Sequence, residues 1–108
     1  MGGLFDERKK GHEAKFARDM EQEFRINARR NRLAGEWAAA RLGLTEAETE
    51  AYAKSVIQAD FEEVGDADVI GKLMGDLLKG GIDIGEIEIR EVLARSEAEA
   101  RAQILKEG

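Results

Sequence analysis

Residues 33–48, LAGEWAAARLGLTEAE, contain the end of one helix and the start of the next. Apolar residues recur at helical spacing in the first half, so this part should pack against other elements. Gly43 stands where helices commonly end in a left-handed glycine. Thr45 and Glu48 have the spacing of a capping box, in which each side chain binds the other residue's backbone N–H. The stretch therefore predicts a helix that ends near Leu42, a tight turn, and a second helix that opens at Thr45.

The same signals divide the whole chain into four helices. The first covers about residues 6–42, the second residues 45–65, the third residues 66–80 and the fourth about residues 86–106. Because the three connections are short, neighbouring helices should be antiparallel. The predicted fold class is all-α: a four-helix bundle with a long first helix and a mobile N-terminal arm.

Each helix has an apolar face that we expect in the core. In the second helix this face is Tyr52, Ala53, Val56, Ile57, Phe61 and Val64. In the third it is Val69, Ile70, Leu73, Met74, Leu77 and Leu78. In the fourth it is Ile89, Val92, Leu93, Ser96, Ala100 and Ile104. Trp37 of the first helix and Phe61 of the second are both assigned to the core.

Composition restricts the class of protein. The chain has 108 residues, 43% of them hydrophobic and 37% charged, with no proline and no cysteine. One soluble helical domain fits these values. The lack of cysteine excludes a disulfide scaffold, thiolate catalysis and cysteine-bound metals. No apolar run is long enough to span a membrane, and the first residues do not resemble a signal peptide, so we expect a cytoplasmic protein without direct membrane insertion.

Charge is distributed unevenly along the chain. Residues 1–35 contain nine Lys and Arg residues against six acids, a net charge of +3. Residues 36–108 contain eight bases against seventeen acids, a net charge of −9. A basic N-terminal part suggests binding to something acidic, either the rest of this chain or a partner.

The N-terminal half of the first helix has little to hold it in place. Apolar residues are sparse before Asn27, and Gly11 costs a helix about 1 kcal/mol relative to alanine. Short helices without tertiary contacts are only marginally stable in water. We therefore expect residues 1–19 to form a mobile, helix-competent arm and residues 20–108 to form the bundle. Phe16, Met20 and Phe24 share one helix face, which could dock on the bundle or bind another protein.

No catalytic or metal-binding constellation is recognisable. His12 is the single histidine, and the two serines lie far from it in sequence on other helices. The stretch DADVIG, residues 66–71, lacks the later ligands of a calcium loop, so capping and the helix dipole explain its acids better. The stretch GDLLKGG, residues 75–81, lacks the Lys-Ser/Thr of a phosphate loop. We predict no catalytic residues, no metal and no cofactor, and expect that the protein is not an enzyme.

Four arginines within eight residues form the strongest local charge feature. They are Arg25, Arg29, Arg30 and Arg32. Such a cluster can bind an anion, a nucleotide such as ATP or ADP, a protein partner, or the acidic part of the same chain. Nucleic acid is disfavoured because the sequence pI is about 4.9 and aromatic stacking platforms are absent. A small anion- or nucleotide-binding regulatory module is therefore the alternative function.

Several longer stretches resemble one family. FDERKKGHEAKFARD, ARRNRLAGEWAA, EAYAKSVIQADFEEVGDADVIGKLMGDL and IREVL occur in that order. Together they are similar to the zeta subunit of the alphaproteobacterial F-type ATP synthase, a small ATPase-inhibitor family. The resemblance covers nearly the whole chain and implies a four-helix bundle, in agreement with the helices predicted above.

The resemblance also implies a function. Members of the family are expected to inhibit ATP hydrolysis by inserting the mobile N-terminal segment into the catalytic head, formed by the alpha, beta and gamma subunits. The protein would then be cytoplasmic and peripheral to the inner membrane. The partner-binding residues expected in the arm are Leu4, Phe5, Arg8, Lys9, Lys10, His12, Lys15, Phe16 and Arg18.

Two residues differ from what the resemblance leads us to expect. His12 occupies a position where a phenylalanine is expected, and Glu36 occupies one where an apolar residue precedes the tryptophan. Because an aromatic side chain contributes about 1.5–3 kcal/mol when it is buried, His12 should make this arm a weaker inhibitor.

Overall fold

The computed structural model describes the backbone of residues 2–61 and 65–107 and the side chains of residues 19–61 and 65–107. Over these residues the chain is all-helical and contains no strand. Its helices are α1 (Gly2–Leu42), α2 (Glu46–Ala59), α3 (Ala67–Lys79) and α4 (Glu86–Glu107). The predicted fold class, a four-helix arrangement with a long first helix, is confirmed.

The predicted junction between α1 and α2 is confirmed in detail. Gly43 has a φ of 71°, the left-handed conformation that ends α1. The backbone N–H of Glu48 donates to Oγ1 of Thr45 at 3.2 Å, and that of Thr45 donates to Oε1 of Glu48 at 2.9 Å. These two bonds form the capping box. The hydrogen bond from the Thr45 backbone, and after it the Thr45 side chain, lowers the pKa of the Glu48 carboxyl.

The expectation that Phe61 lies in the core is wrong. Helix α2 ends at Ala59, and Phe61 follows in the turn with 63% of its surface exposed. A residue beyond the end of a helix no longer follows the helical face, so Phe61 is not directed inward with Val56. Val64, which was assigned to the same face, lies outside the described residues.

Leu78 is a second apolar residue that does not reach the core. It is 47% exposed, whereas Leu77 is fully buried. Successive residues in a helix point about 100° apart, so the last turn of α3 can direct only one of the two into the bundle. One residue later α3 ends at Lys79, directly before the predicted glycine pair, and Gly81 adopts a φ of 82°.

Helix α1 is the element around which the bundle is built. It packs along α2 and α4, and α3 contacts all three other helices. Its buried face is made of small residues, including Ala34, Ala38 and Ala39, which are fully buried. Large side chains from α3 and α4 fill the space around this face, and all six positions predicted to face inward on α4 are buried. Trp37 packs against this core from its edge.

Helices α1 and α4 run antiparallel, as their ion pairs show. Glu23 near the start of the packed part of α1 pairs with Arg101, whereas Arg41 at its end approaches Glu88. Between these pairs, Ile26 packs with Ala100 and Ile104 in a small second cluster. This cluster extends the core toward the N-terminal side of α1.

A polar contact joins α2 to α3. The Tyr52 hydroxyl donates to Oδ2 of Asp76 at 2.8 Å, and Nζ of Lys72 donates to the same oxygen at 3.1 Å. Burial, followed by the bond to the Asp76 carboxylate, raises the pKa of Tyr52 well above its usual value. The phenol therefore stays protonated in the folded protein at all physiological pH values.

The close packing of α1 on α2 predicts opposite effects for two glycine substitutions. A Cβ at Gly35 would lie 3.0 Å from the Ala53 Cα and 3.2 Å from Val56 Cγ2, whereas a Cβ at Gly71 has no neighbour within 4 Å. We expect Gly71→Ala to stabilise the protein by about 0.5–1 kcal/mol through helix propensity. Gly35→Ala should lower the free energy of unfolding by about 1 kcal/mol because overpacking outweighs the propensity gain. Urea denaturation followed by circular dichroism measures both, and equal stabilisation by the two would contradict the packing.

Candidate functional site

The predicted inhibitory arm belongs to α1. All nine predicted partner-binding residues, Leu4, Phe5, Arg8, Lys9, Lys10, His12, Lys15, Phe16 and Arg18, fall within the helix. Their side chains lie outside those that the structure describes, so their roles stay a prediction. The described part nevertheless shows how the arm connects to the bundle.

Helix α1 is much longer than the helices that pack against it. It has 41 residues and α4, the next longest, has 22. At about 1.5 Å per residue, α1 exceeds α4 by roughly 28 Å. Because α1 and α4 are antiparallel, and the end of α4 pairs with Arg25 through Glu107, the excess length lies on the N-terminal side. The longest dimension of the molecule is 67 Å, against 25 and 21 Å across it.

Three of the four clustered arginines lie at one surface groove. Nη2 of Arg25 is 3.0 Å from Glu107, and Arg29 donates to Oε1 of Gln103 at 2.7 Å. Arg32 pairs with Glu50 and, at 3.6 Å, with Glu36. The groove has a volume of about 230 Å³, and its lining also includes Phe24, Ala28, Ile57 and Ile104.

Ion pairs with arginine lower the pKa of two carboxyl groups on the surface. The hydrogen bond from Arg32 lowers the pKa of Glu50, and that from Arg101 lowers the pKa of Glu23. A lowered carboxyl pKa favours the folded state above the pKa of the unfolded chain, and the benefit is lost as the pH falls through the folded pKa. Surface pairs of this kind are weak, so a ligand could displace the carboxylates from the arginines.

Arg30 has a different environment from the other three. Its side chain is only 7% exposed, and Nη1 lies 3.0 Å from Oδ1 of Asp66 while Nη2 lies 3.8 Å from Oδ1 of Asp60. Nε donates to the buried side chain of Asn31 at 3.0 Å. Asp60 is the C-cap of α2 and Asp66 occupies the N-cap position of α3. One guanidinium of α1 therefore binds a residue at each end of the α2–α3 connection.

The ion pair also changes the role expected for Asp66. This residue occupies the N-cap position of α3, yet its side chain makes no capping hydrogen bond. The capping role predicted for Asp66 is therefore wrong, because its carboxylate is bound to Arg30 instead. Asp68 remains in the first turn, as predicted, where the helix dipole favours an acid.

Directly after Asp60, Phe61 forms a stacked aromatic pair with Phe24 of α1, which the sequence did not reveal. The rings of Phe24 and Phe61 have centroids 5.6 Å apart and planes inclined by 29°. Phe24 is 54% exposed, and Met20, one turn earlier on α1, is 59% exposed. Phe24 also lines the groove that contains Ile57 and Ile104, yet the face shared by Met20 and Phe24 stays largely open to solvent.

Metal and membrane sites were also sought in the described part of the chain. Over these residues no group of three or more His, Asp or Glu side chains could hold a metal ion. The helices there include none that is long and apolar enough to cross a membrane.

Comparison with known proteins identifies the family. The sequence profile of the ATPase inhibitor subunit zeta family matches residues 2–103. The chain belongs to this family. The match begins at the first residue of α1 and extends into α4, so the family assignment covers almost the whole chain.

A solved structure agrees with this assignment. A protein determined by solution NMR is 42% identical to the zeta-family chain, with a TM-score of 0.70. The match covers 80% of this chain and 98% of the NMR chain. Curated proteins give no match.

The two kinds of arginine environment predict different costs of substitution. Arg30→Gln leaves two carboxylates without their buried partner, so we expect the free energy of unfolding to fall by about 1–3 kcal/mol. The matched control is Arg25→Gln, whose exposed pair with Glu107 should contribute less than about 1 kcal/mol. Urea denaturation of both variants tests this difference. Equal losses would show that burial of Arg30 has no energetic consequence.

Proposed function

We propose that this zeta-family protein is a regulatory subunit that inhibits ATP hydrolysis by an F-type ATP synthase. In this proposal the N-terminal part of α1 inserts between subunits of the catalytic head, which consists of alpha, beta and gamma subunits. The observation that carries the proposal is the length of α1, which extends about 28 Å farther than any helix available to pack against it.

The energetics of an unsupported helix suit reversible insertion. Ordering a segment when it binds costs about 2–5 kcal/mol. Burying apolar side chains such as Leu4, Phe5 and Phe16 in the head would offset this cost at about 1.5–3 kcal/mol each. In this proposal the helix binds the head tightly because the apolar burial exceeds the cost of ordering the segment.

The charge of the arm favours association with acidic surfaces. Residues 1–19 contain five bases, Arg8, Lys9, Lys10, Lys15 and Arg18, against four acids, a net charge of +1, whereas residues 20–108 have a net charge of −7. Basic side chains on a projecting helix increase the rate of encounter with an acidic site, and added salt reduces this effect.

The bundle limits how far the arm can enter. An α-helix with its side chains is about 10–12 Å wide, whereas the molecule is 25 by 21 Å across. A cleft that admits one helix would exclude the bundle, which would remain outside the head. A helix held in a closing interface would then block the conformational cycle of hydrolysis. The subunit would be cytoplasmic and attached to the inner membrane only through the ATP synthase.

Nucleotide binding is the second candidate function. The groove beside Phe24 combines an exposed aromatic ring with Arg25, Arg29 and Arg32, groups suited to a base and to phosphates. Arg30 is buried with Asp60 and Asp66 outside this groove, so it is the least accessible of the four proposed contacts. NMR titration with ATP and ADP tests this candidate, since binding should shift the resonances of Ala28 and Ile57. Unchanged resonances at millimolar nucleotide would reject it.

The proposed insertion of the arm predicts the outcome of a hydrolysis assay with the catalytic head of the same species. The full chain should inhibit ATP hydrolysis, and a version without residues 1–19 should not, while keeping its helical circular dichroism. Reversing two charges, Lys9→Glu with Lys10→Glu, should raise the concentration for half-inhibition roughly tenfold at low salt and less at high salt.

A matched variant separates arm charge from total charge. Lys54→Glu with Lys106→Glu makes the same change in net charge on exposed positions of the bundle. This variant should inhibit like the unmodified chain. Full inhibition by the arm-deleted version, or no inhibition by the full chain, would refute the proposed function.

A further inference from the structure

We infer that Met20, Phe24 and Phe61 form a second contact surface for the same catalytic head, beside the point where α1 enters it. This surface is called the aromatic ridge below. The occupant is an apolar patch of the head that carries basic residues on the side of Met20 and acidic residues on the side of the two grooves. The inference rests on the proposed function, because it places the ridge at the edge of the interface that receives the arm.

The ridge is apolar and open to solvent. Met20, Phe24 and Phe61 are 59%, 54% and 63% exposed, and each is a large apolar residue. Single exposed apolar residues are common on protein surfaces, but a contiguous group of them marks an interaction site. Phe24 and Phe61 are in direct contact. Met20 lies one turn before Phe24 on the same face of α1.

The two rings are held in position before any partner binds. Phe61 stacks on Phe24, and it follows Asp60, which Arg30 binds from α1. Arg30 also binds Asp66, on the other side of the α2–α3 connection. A preorganised aromatic surface loses little conformational freedom on binding, so more of the contact energy contributes to affinity.

The rings stand between two depressions in the surface. Phe24 lines the groove of about 230 Å³ described above. Phe61 lines another groove of about 490 Å³, together with Ser55, Gln58, Ala59, Asp68 and Lys72. Aromatic side chains contribute much of the binding energy of many protein–protein interfaces, and a pair that projects between two grooves can be enclosed by a partner surface.

The position of the ridge along α1 connects it to the arm. Helix α1 runs from Gly2 to Leu42 as one element. Phe24 follows residue 19 by five residues, which is about 8 Å along the helix axis. If the head encloses α1 as far as residue 19, the rim of its cleft lies next to Met20 and Phe24. The ridge would therefore continue the interface from the arm onto the bundle.

The charges around the ridge differ between its two ends. Asp19 and Glu21 are exposed on either side of Met20. Basic side chains line the two grooves instead: Arg25, Arg29 and Arg32 beside Phe24, and Lys72 beside Phe61. The partner patch should therefore be apolar at its centre, with basic residues facing Met20 and acidic residues facing the grooves.

The test compares Phe61→Ser with Ile87→Ser, both in the full chain, in the hydrolysis assay and in a direct binding measurement with the catalytic head. Ile87 is 75% exposed at the opposite end of the bundle, so it controls for loss of an exposed apolar side chain. Phe61→Ser should raise the concentration for half-inhibition and the Kd about tenfold, with unchanged inhibition at saturation. Ile87→Ser should match the unmodified chain, and Phe61→Leu should restore most of the affinity. Circular dichroism confirms that each variant is folded.

The outcomes separate this inference from the proposed function. Suppose that the full chain inhibits normally and that Phe61→Ser changes neither inhibition nor the Kd. This result would overturn the inference that the ridge contacts the head and would leave the arm mechanism intact. If the full chain neither binds nor inhibits, both proposals fail. Sedimentation provides a further check: a dimer of the full chain that Phe61→Ser dissociates, without any effect on inhibition, would assign the ridge to a second copy and overturn the inference.

Discussion

The ion pairs of Arg30 join three helices at one point, and the surface proposed for partner binding depends on them. A buried guanidinium is unfavourable unless its hydrogen-bond donors have partners. Asn31, Asp60 and Asp66 supply those partners, and the two aspartates lie on either side of the α2–α3 connection. One charge on α1 therefore binds a residue at the end of α2 and a residue at the start of α3. Phe61, which follows Asp60, stacks on Phe24 beside these ion pairs.

Helix α1 has two environments that place different demands on its sequence. Its C-terminal half must allow α2 and α4 to approach closely, which explains the alanines and Gly35 on its buried face. Its N-terminal half extends beyond the helices that pack against the rest of α1. In the proposed mechanism, this continuity of α1 would let the bundle act as a stop for the inserted helix.

The sequence predicted the helices well because capping and glycine signals act locally. Gly43, Thr45 and Glu48 act within a few residues of one another, and the inward face of α4 follows from a simple apolar period. Sequence similarity supplied the family, which local patterns could not provide. The predicted arm contacts involve another protein, so no pattern within this chain can establish them.

The errors and omissions arise where contacts between distant parts of the chain override the local sequence pattern. Phe61 is apolar and four residues after Ile57, the spacing of one helix face, but the helix ends before it. Arg30 was grouped with three surface arginines, although it lies four residues from both Ile26 and Ala34 on the buried face of α1. That spacing was the available signal for its burial. The carboxylates that offset the cost of burying Arg30 belong to Asp60 and Asp66, about thirty residues away in sequence. Only the folded chain brings them to Arg30.

Hydrogen exchange of the full chain, measured alone and with the catalytic head during ATP hydrolysis, tests the central claim most directly. The account predicts that backbone amides of residues 2–18 exchange rapidly in the free protein and become protected when the head is added. Amides of the packed part of α1, around Ala34 and Ala38, should be protected in both states. Exchange of residues 2–18 that is unchanged by the head, despite inhibition of hydrolysis, would contradict insertion of the arm.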